Sequence, residues 1–595
     1  MNKFIKKLNK ISIKLLYNMY NIKIEKINIL YTKNYNYGDI SIIISSIFCL
    51  KDKEKKKFGI YLGNYIIKKF KKYIYKYNFK NNFLNFFLTN YFYIEIINKF
   101  LKLNFNINKF INDVNNNNKL IIIDYSSPNT NKPLHIGHLR NMLIGNTISN
   151  IYYELGYKVI KSQIINDRGI HICKSIVSWK LFFNGITPLS YNIKSDHFVG
   201  KLYFKFEKEL NKEIKNISYK YNINNEKAKK LSKLLIIVND ELVKWENNNT
   251  NSIYIWKMIN LWAYKGFKKT YNALNIKFDE IIYESKTYII GKKIINKGIK
   301  NKIFFLDKDK SVYFLFKKKK IILLRSNGTS LYITQEIGTL IYRLKKYKKI
   351  HLLIYVVGNE QIYHFNILFE IVKKINLSIK NNNLFHLSYN SVNFLGKKIK
   401  SRYGKNIIFI DDLIDKMYIN VIKKFKEKKK KYNNKKKILK LISIGAIKYQ
   451  FIKINPNKII DFNFDKCLEL KGNTGIYIQY TYVRIYSILK KNKNKYFIIK
   501  KKHINLIKKN EKDILKNIIE YPNIINKSAY KYDPSIFTNY VYDLSKKINV
   551  FYQNNKIINI KNIYKKNIRL IICNIILKFL DKSMKILGIP IIKKI

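Results

Sequence analysis

The hydrophobic pattern divides the chain into three stretches. Residues 1–115 mix amphipathic helical spacing with short apolar runs, and Gly38-Asp39 ahead of Ile40-Ser41-Ile42-Ile43-Ile44 marks a turn into one such run. That mixture predicts a small α+β domain. From 116 to 415, β-branched runs alternate with helical segments. Leu120-Ile121-Ile122-Ile123, Lys158-Val159-Ile160, Ile321-Ile322-Leu323-Leu324 and Leu352-Leu353-Ile354-Tyr355-Val356-Val357 read as buried strands. Strands separated by helices predict an α/β, Rossmann-type doubly wound parallel sheet, with 200–275 as a helical insertion. Beyond 416 the strand signals fade. Val421 to Lys431 and Ile568 to Lys585 show helical spacing with basic outer faces, which predicts an all-α bundle over 416–595. The Lys-rich run from Lys424 to Lys437 reads as a solvated helix or hinge, with a specific RNA contact as the second reading. The run Asn115-Asn116-Asn117-Asn118 is either a linker of turn-formers or a product of compositional drift.

At 595 residues the chain is long enough for two to four domains. It carries 116 Lys and Arg against 38 Asp and Glu, a formal charge of +78. Such an excess favours an anionic partner, nucleic acid before membrane. Lys, Asn, Ile, Tyr and Phe are abundant while Ala, Gly and Pro are scarce, as in an A+T-rich genome, so drift accounts for part of the charge. The same drift makes the seven arginines informative, at 140, 168, 325, 343, 402, 484 and 569. Lysine replaces arginine where a bare charge suffices, but not where a planar fork is needed. Cys49, Cys173, Cys467 and Cys573 are far apart with no C-x-x-C pair. That argues against a thiolate zinc site or a disulfide framework and fits a reducing cytosol, so a cytoplasmic protein is expected. Met1 to Tyr20 is basic and mildly amphipathic but lacks Arg and a cleavable apolar core, so a targeting peptide is the minority reading. No uncharged apolar run reaches membrane-spanning length, and no G-x-x-x-x-G-K loop is present, which excludes a P-loop ATPase.

The strongest chemical signal is Ser126-Ser127-Pro128-Asn129-Thr130-Asn131-Lys132-Pro133-Leu134-His135-Ile136-Gly137-His138. It joins the first buried strand to a helix opening at Leu139-Arg140-Asn141, and a strand, a tight turn and a helix N-terminus make a phosphate site. Two imidazoles three apart there can donate to phosphoryl oxygens. The alternative is a solvated loop with chance histidines, in a chain that has only eight. This segment resembles the HIGH signature of class I aminoacyl-tRNA synthetases, and its extended form resembles the arginyl-tRNA synthetase family in particular. The resemblance implies that Asn129 contacts the α-amino group of the amino acid and that His135 and His138 contact the phosphates. It places Pro128 and Gly137 beside ATP, with Gly137 letting adenine lie against the backbone.

Three further segments extend the resemblance. Lys398-Ile399-Lys400-Ser401-Arg402 is similar to a divergent KMSKS loop, in which Lys398 and Lys400 would neutralise the leaving pyrophosphate and Ser401 would lie on the ATP side. Ser401 stands where the second signature lysine belongs, and Lys132 is the candidate for the missing charge. Leu324 to Glu336 resembles one wall of an arginine pocket. Tyr332 and Glu336 are spaced i, i+4 and face the same way on a helical turn. Glu336 occurs where the family usually has Asp, and together with Asp124 it gives two carboxylates to match a guanidinium fork. Tyr355 to Phe365 reads as a strand ending in Gly at the crevice of a parallel sheet. The resemblance assigns Gln361 to the amino acid and Gly358 to the nucleotide, while His364 reads as a core histidine. Asn166-Asp167-Arg168-Gly169-Ile170-His171 occupies the equivalent edge after the second strand and carries no assigned role.

In the C-terminal stretch, Gly472 to Tyr480 and Tyr482-Val483-Arg484 resemble an anticodon-binding bundle, although the family normally reads His-Ala-Arg at the latter. Gln479, Tyr480 and Arg484 are the candidates for tRNA contact, with packing as the alternative for any tyrosine. The resemblance as a whole implies a bacterial enzyme that uses L-arginine, ATP with Mg2+ as substrate, and tRNA(Arg). It implies no covalent nucleophile, no protein metal site, a monomer, and a requirement for tRNA in amino-acid activation. The rival readings are a lysine-specific class I synthetase and an RNA-binding protein that has lost catalysis.

Overall fold

The computed structural model describes the chain except residues 1, 33–36, 48, 112–115, 117, 327, 348, 376–382, 395, 399–406, 427–435, 493–495 and 595. At the centre lies a five-stranded parallel sheet. Its strands stand in the order Leu384–Tyr389, Ile350–Gly358, Leu120–Asp124, Lys158–Ile165, Glu280–Tyr283. The chain starts in the middle, winds outward to Glu280–Tyr283, then returns to the other side of Leu120–Asp124. The direction reverses between Leu120–Asp124 and Ile350–Gly358, and ligands of such sheets bind at the carboxyl ends of the strands flanking that point.

Strand alternation explains why both faces are covered. Ile121 and Ile123 enter the large core that continues into the N-terminal and C-terminal domains. Ile122 enters a second core built with the helices Tyr332–Lys346 and Ile362–Lys374. Asp124 shares the parity of Ile122 and so faces the Tyr332–Lys346 helix.

The N-terminal domain is α+β, with an antiparallel sheet ordered Ile29–Tyr31, Ile40–Ile43, Phe83–Leu88, Ile74–Lys80 beside three long helices. Gly38 has φ +80°, and a side chain there would strike the Phe86 carbonyl, so the turn before Ile40 requires glycine. The insertion between Lys158–Ile165 and Glu280–Tyr283 is helical, dominated by Ser195–Lys220, Lys233–Glu246 and Thr250–Ala273. The C-terminal region is a bundle of Lys436–Ile452, Gly475–Lys491, Lys509–Tyr530, Pro534–Asn554 and Ile563–Leu587. Among the described residues no helix is long and apolar enough to cross a membrane.

Two expectations need correction. Ile321 to Leu324 is a strand, but it belongs to a separate antiparallel sheet with Val312–Phe316 and Phe305–Leu306. Its β-branched run signals extension without saying which sheet receives it. The border expected at 415/416 falls inside the continuous helix Ile410–Lys426. Beyond it, Ile460–Phe462 pairs in parallel with Val392–Phe394, so the chain contributes to the catalytic side well past 416.

Candidate active site

The turn after the first strand is held by its own side chains. Ser126, at φ +59°, donates its backbone N–H to Asn141 Oδ1 at 2.6 Å. Asn141 Nδ2 in turn donates to Val356 O at 2.6 Å and to Tyr389 OH at 3.2 Å, tying the ends of three strands together. The Pro128 carbonyl accepts from Asn166 N at 3.0 Å, and Thr130 N donates to Asn166 O at 3.2 Å. That strap gives Asn166, the first residue after the second strand, a structural role.

His135 caps the helix Ile136–Glu154. Its Nδ1 accepts from Gly137 N at 3.1 Å, and its own N–H donates to His138 Nδ1 at 3.1 Å. The two rings stack with centroids 3.8 Å apart. Burial and then Lys132 depress His135 to about 3, while burial, His135 and Lys132 hold His138 well below the usual imidazole range. Both imidazoles are therefore neutral. With Nδ1 of each accepting from backbone, the remaining proton lies on Nε2, leaving two neutral N–H donors. A side chain at Gly137 would lie 3.0 Å from the His135 ring, so glycine leaves that ring its place.

A cavity of about 1660 Å³ opens at the switch point. Of the predicted residues, Asp124, Asn129, Lys132, His138, Tyr332, Glu336, Gly358 and Gln361 line it together. His135, Pro128 and Gly137 do not line it; Pro128 is buried beneath the turn. Lys398 lies in the short strand Lys397–Lys398, whereas Lys400 and Ser401 fall outside the described residues.

Asp124 departs from expectation. Its Oδ2 is held by the fully buried Arg343 at 2.9 Å, and Arg343 also donates to Ser162 Oγ at 2.8 Å. One of its oxygens is thus already taken by an internal guanidinium. A third acid on this wall is Glu284, which sequence reasoning missed. It follows directly on Glu280–Tyr283, at the carboxyl edge of the sheet, and is 4 % exposed. That strand of four residues is too short to register as a period. Burial pushes the Glu284 carboxyl up to about 8, with Arg168 opposing and Asp167 and Glu336 adding to the rise. Burial likewise raises Asp124 to about 6 despite Arg343.

Glu284, Gln335 and Asp124 line this cavity, and their buried oxygens Glu284 Oε2, Gln335 Oε1 and Asp124 Oδ1 have no hydrogen-bond partner in the protein. Buried polar groups normally find partners, so three orphan acceptors on one wall point to a ligand rich in donors. Glu336 stands beside them, with His364 Nε2 2.9 Å from its Oε2. His364 is thus a partner of the pocket acid on the cavity wall and no core histidine. Burial is the largest single influence and lowers its proton affinity, but the hydrogen bond and the charge of Glu336 together outweigh it, so the net shift is upward.

Arginines elsewhere serve geometry. Arg140 is fully buried and donates to the carbonyls of Asn390, Ser391, Asn455, Pro456 and Lys458. Arg168 donates to Ser330 Oγ at 3.0 Å and Glu246 at 2.7 Å, with its guanidinium carbon 3.9 Å from the centre of the Tyr288 ring. In the bundle, Gln479 needs correction: it is fully buried, donating to Leu441 O and Pro590 O, so it holds helices together and meets no RNA. The Gly472 to Tyr480 motif is partly a packing motif, since a side chain at Gly475 would strike Gly445 O. Tyr480 and Arg484 are half-buried, with the Arg484 guanidinium 5.9 Å from the Tyr480 ring centre and 2.6 Å from Asn549 Oδ1.

Comparison with known proteins agrees with this geometry. Residues 103–466 match the family model for tRNA synthetases class I (R), catalytic domain, and 478–595 match the DALR anticodon binding domain. The chain is 35 % identical to the arginine–tRNA ligase of Flavobacterium psychrophilum, covering 97 % of each. It is 37 % identical to that of Borreliella afzelii, covering 96 % of each. Its fold matches the arginyl-tRNA synthetase of Thermus thermophilus with a TM-score of 0.76 at 17 % identity, covering 99 % of this chain and 100 % of that one. With the catalytic family model matching more than half of its length, and relatives aligned almost end to end, the chain belongs to the class I arginyl-tRNA synthetases.

Proposed function

We propose that this protein condenses L-arginine with ATP, carried as its magnesium complex, to arginyl-adenylate and pyrophosphate, then passes the arginyl group to the terminal ribose of tRNA(Arg). The observation that carries the choice of amino acid is the wall formed by the three acids Glu284, Asp124 and Glu336 with Gln335 beside them. A guanidinium has five N–H donors and no acceptor, and is matched by such a wall. Glu336 and Glu284 take the guanidinium, with Tyr332 at the rim and Arg343 keeping Asp124 from moving. Asn129 and Gln361 hold the α-amino end, which turns the substrate carboxylate toward the nucleotide at Gly358.

Activation forms a bond from a carboxylate oxygen to the α-phosphorus of ATP and breaks the bond to pyrophosphate. No enzyme atom joins the intermediate, so catalysis is positioning plus stabilisation of developing charge. His138, with His135 behind it, donates neutral Nε2–H groups to the phosphates. A neutral donor binds the reacting group without adding a proton to it. Lys132 lowers the proton affinity of both histidines, so its ammonium acts at close range on the same spot. That supports Lys132 as the cation that Ser401 does not supply, beside Lys398 and Lys400. Tyr480 and Arg484 are the part of the bundle surface available to an anticodon base.

The test is aminoacylation of purified tRNA with each amino acid in turn. Arginine alone should become esterified to tRNA. Stable attachment of lysine, or of none, would overturn the reading.

A further inference from the structure

Outside the substrate cavity, a second set of contacts converges on the residues that follow the KMSKS-like segment. Ile136 N donates to Ile408 O and Ile410 N to Leu134 O, each at 3.0 Å, with His135 opposite Phe409. The HIGH turn and this outgoing segment thus form one short antiparallel ladder. The next residue, Asp411, opens the helix Ile410–Lys426 and reaches across to the helical insertion. Its Oδ2 accepts from Lys194 Nζ at 2.7 Å and lies 3.0 Å from His197 Nε2, while its Oδ1 accepts from Thr270 Oγ1 at 3.1 Å. Lys194 also bonds Asp196 Oδ2 at 3.2 Å, so the charge of this acidic cluster is met by an internal ammonium.

The insertion helix Ser195–Lys220 makes two more contacts that bear on catalysis. At Gly200 it runs so close to the HIGH turn that a side chain would lie 2.6 Å from Pro133 Cδ and 3.7 Å from Lys132 Cα. Further along, Tyr203, Glu207 and Asn211 line the substrate cavity. One helix therefore touches the Lys132–Pro133 turn, the outgoing foot of the KMSKS-like segment and the cavity wall.

We propose that Asp411 is a positioning residue for adenylate formation: by tying the insertion helix to the segment Ile408–Ile410, it fixes the spacing between that foot and the His135–His138 turn. Asp411 does not line the substrate cavity. The proposal rests on adenylate formation at this cavity, as assigned above. A displacement of about 1 Å in such an arrangement costs on the order of a hundredfold in rate, while the guanidinium wall lies on other elements.

The test is arginine-dependent ATP–pyrophosphate exchange in the presence of tRNA, on the full chain. Asp411→Asn should lower kcat by about 10- to 100-fold with the KM for arginine within about twofold and the thermal melt close to wild type. His197→Gln keeps a donor near the position of Nε2 and should retain most activity, whereas His197→Leu should fall with Asp411→Asn. The double variant Asp411→Asn/His197→Leu should be no slower than the slower single, since both break one contact. A wild-type kcat in Asp411→Asn overturns the proposal. So does a kcat loss matched by an equal loss of folded protein, or additive effects in the double variant. Failure of the wild type to exchange at all instead counts against the assigned function.

Discussion

Glu284→Gln is the substitution that most sharply interrogates the arginine pocket. The side chain is buried and its Oε2 has no partner in the protein, so replacing one oxygen by an amide leaves packing almost unchanged. What it removes is one charge-assisted hydrogen bond to the guanidinium, worth about 1.5–3 kcal/mol. At about 1.4 kcal/mol per tenfold, kcat/KM for arginine should fall by about 10- to 150-fold. The KM for ATP should move little. A pH dependence accompanies this. With its carboxyl pushed up to about 8, Glu284 is mostly protonated at neutral pH in the free protein. Guanidinium binding favours the carboxylate, so arginine binding releases a proton and tightens as pH rises, levelling off above about 8. Steady-state exchange assays between pH 6.5 and 8.5 should show the KM for arginine falling in the wild type and staying flat in Glu284→Gln. An unchanged KM in the variant, or a pH-independent KM in the wild type, would refute the reasoning.

Lys132→Ala should cut the exchange rate by about a hundredfold or more with the fold intact; turnover within threefold of wild type would remove Lys132 from the mechanism. Arg140→Lys replaces a fork bonded to five carbonyls by three donors on one nitrogen. It should cost about 2–4 kcal/mol and lower the denaturant midpoint, and an unshifted midpoint would contradict the clamp. Because Gln479 never reaches the surface, Gln479→Ala should leave the KM for tRNA within about twofold while lowering thermal stability. A KM change without loss of stability would return it to the RNA interface.

The two central strands of the sheet were legible because they are buried on both faces, and Ile121, Ile122 and Ile123 leave no polar position to confuse the period, whereas the edge strand Leu384–Tyr389, half-buried, was not read. Nor was Glu280–Tyr283, since four residues give too little pattern and its first residue is a charged one satisfied by Lys346 and Ser162. With that strand went Glu284. Of the HIGH turn, Asn129, Lys132 and His138 line one cavity while Pro128, His135 and Gly137 do not, because adjacency in sequence brings the motif to one place without saying which side chains face the opening. The Asp124–Arg343 pair was not legible for the opposite reason. The two residues lie more than two hundred positions apart, and nothing in either local sequence pairs them. The scarcity of arginine did carry information: Arg140, Arg168, Arg343 and Arg569 each make several directed bonds that a lysine could not reproduce. Gln479 shows the limit of motif reading, since Gly445, Gly475 and Gln479 meet at a helix crossing that spacing alone does not reveal.

The most direct measurement of the central claim is ATP–pyrophosphate exchange by the full chain, run with each amino acid separately and with or without tRNA. The account predicts exchange with arginine, dependent on tRNA, and none with lysine, whose ammonium lacks the fork that the wall of Glu284, Gln335 and Glu336 matches. Exchange driven by lysine, or absent with arginine and tRNA together, would contradict it.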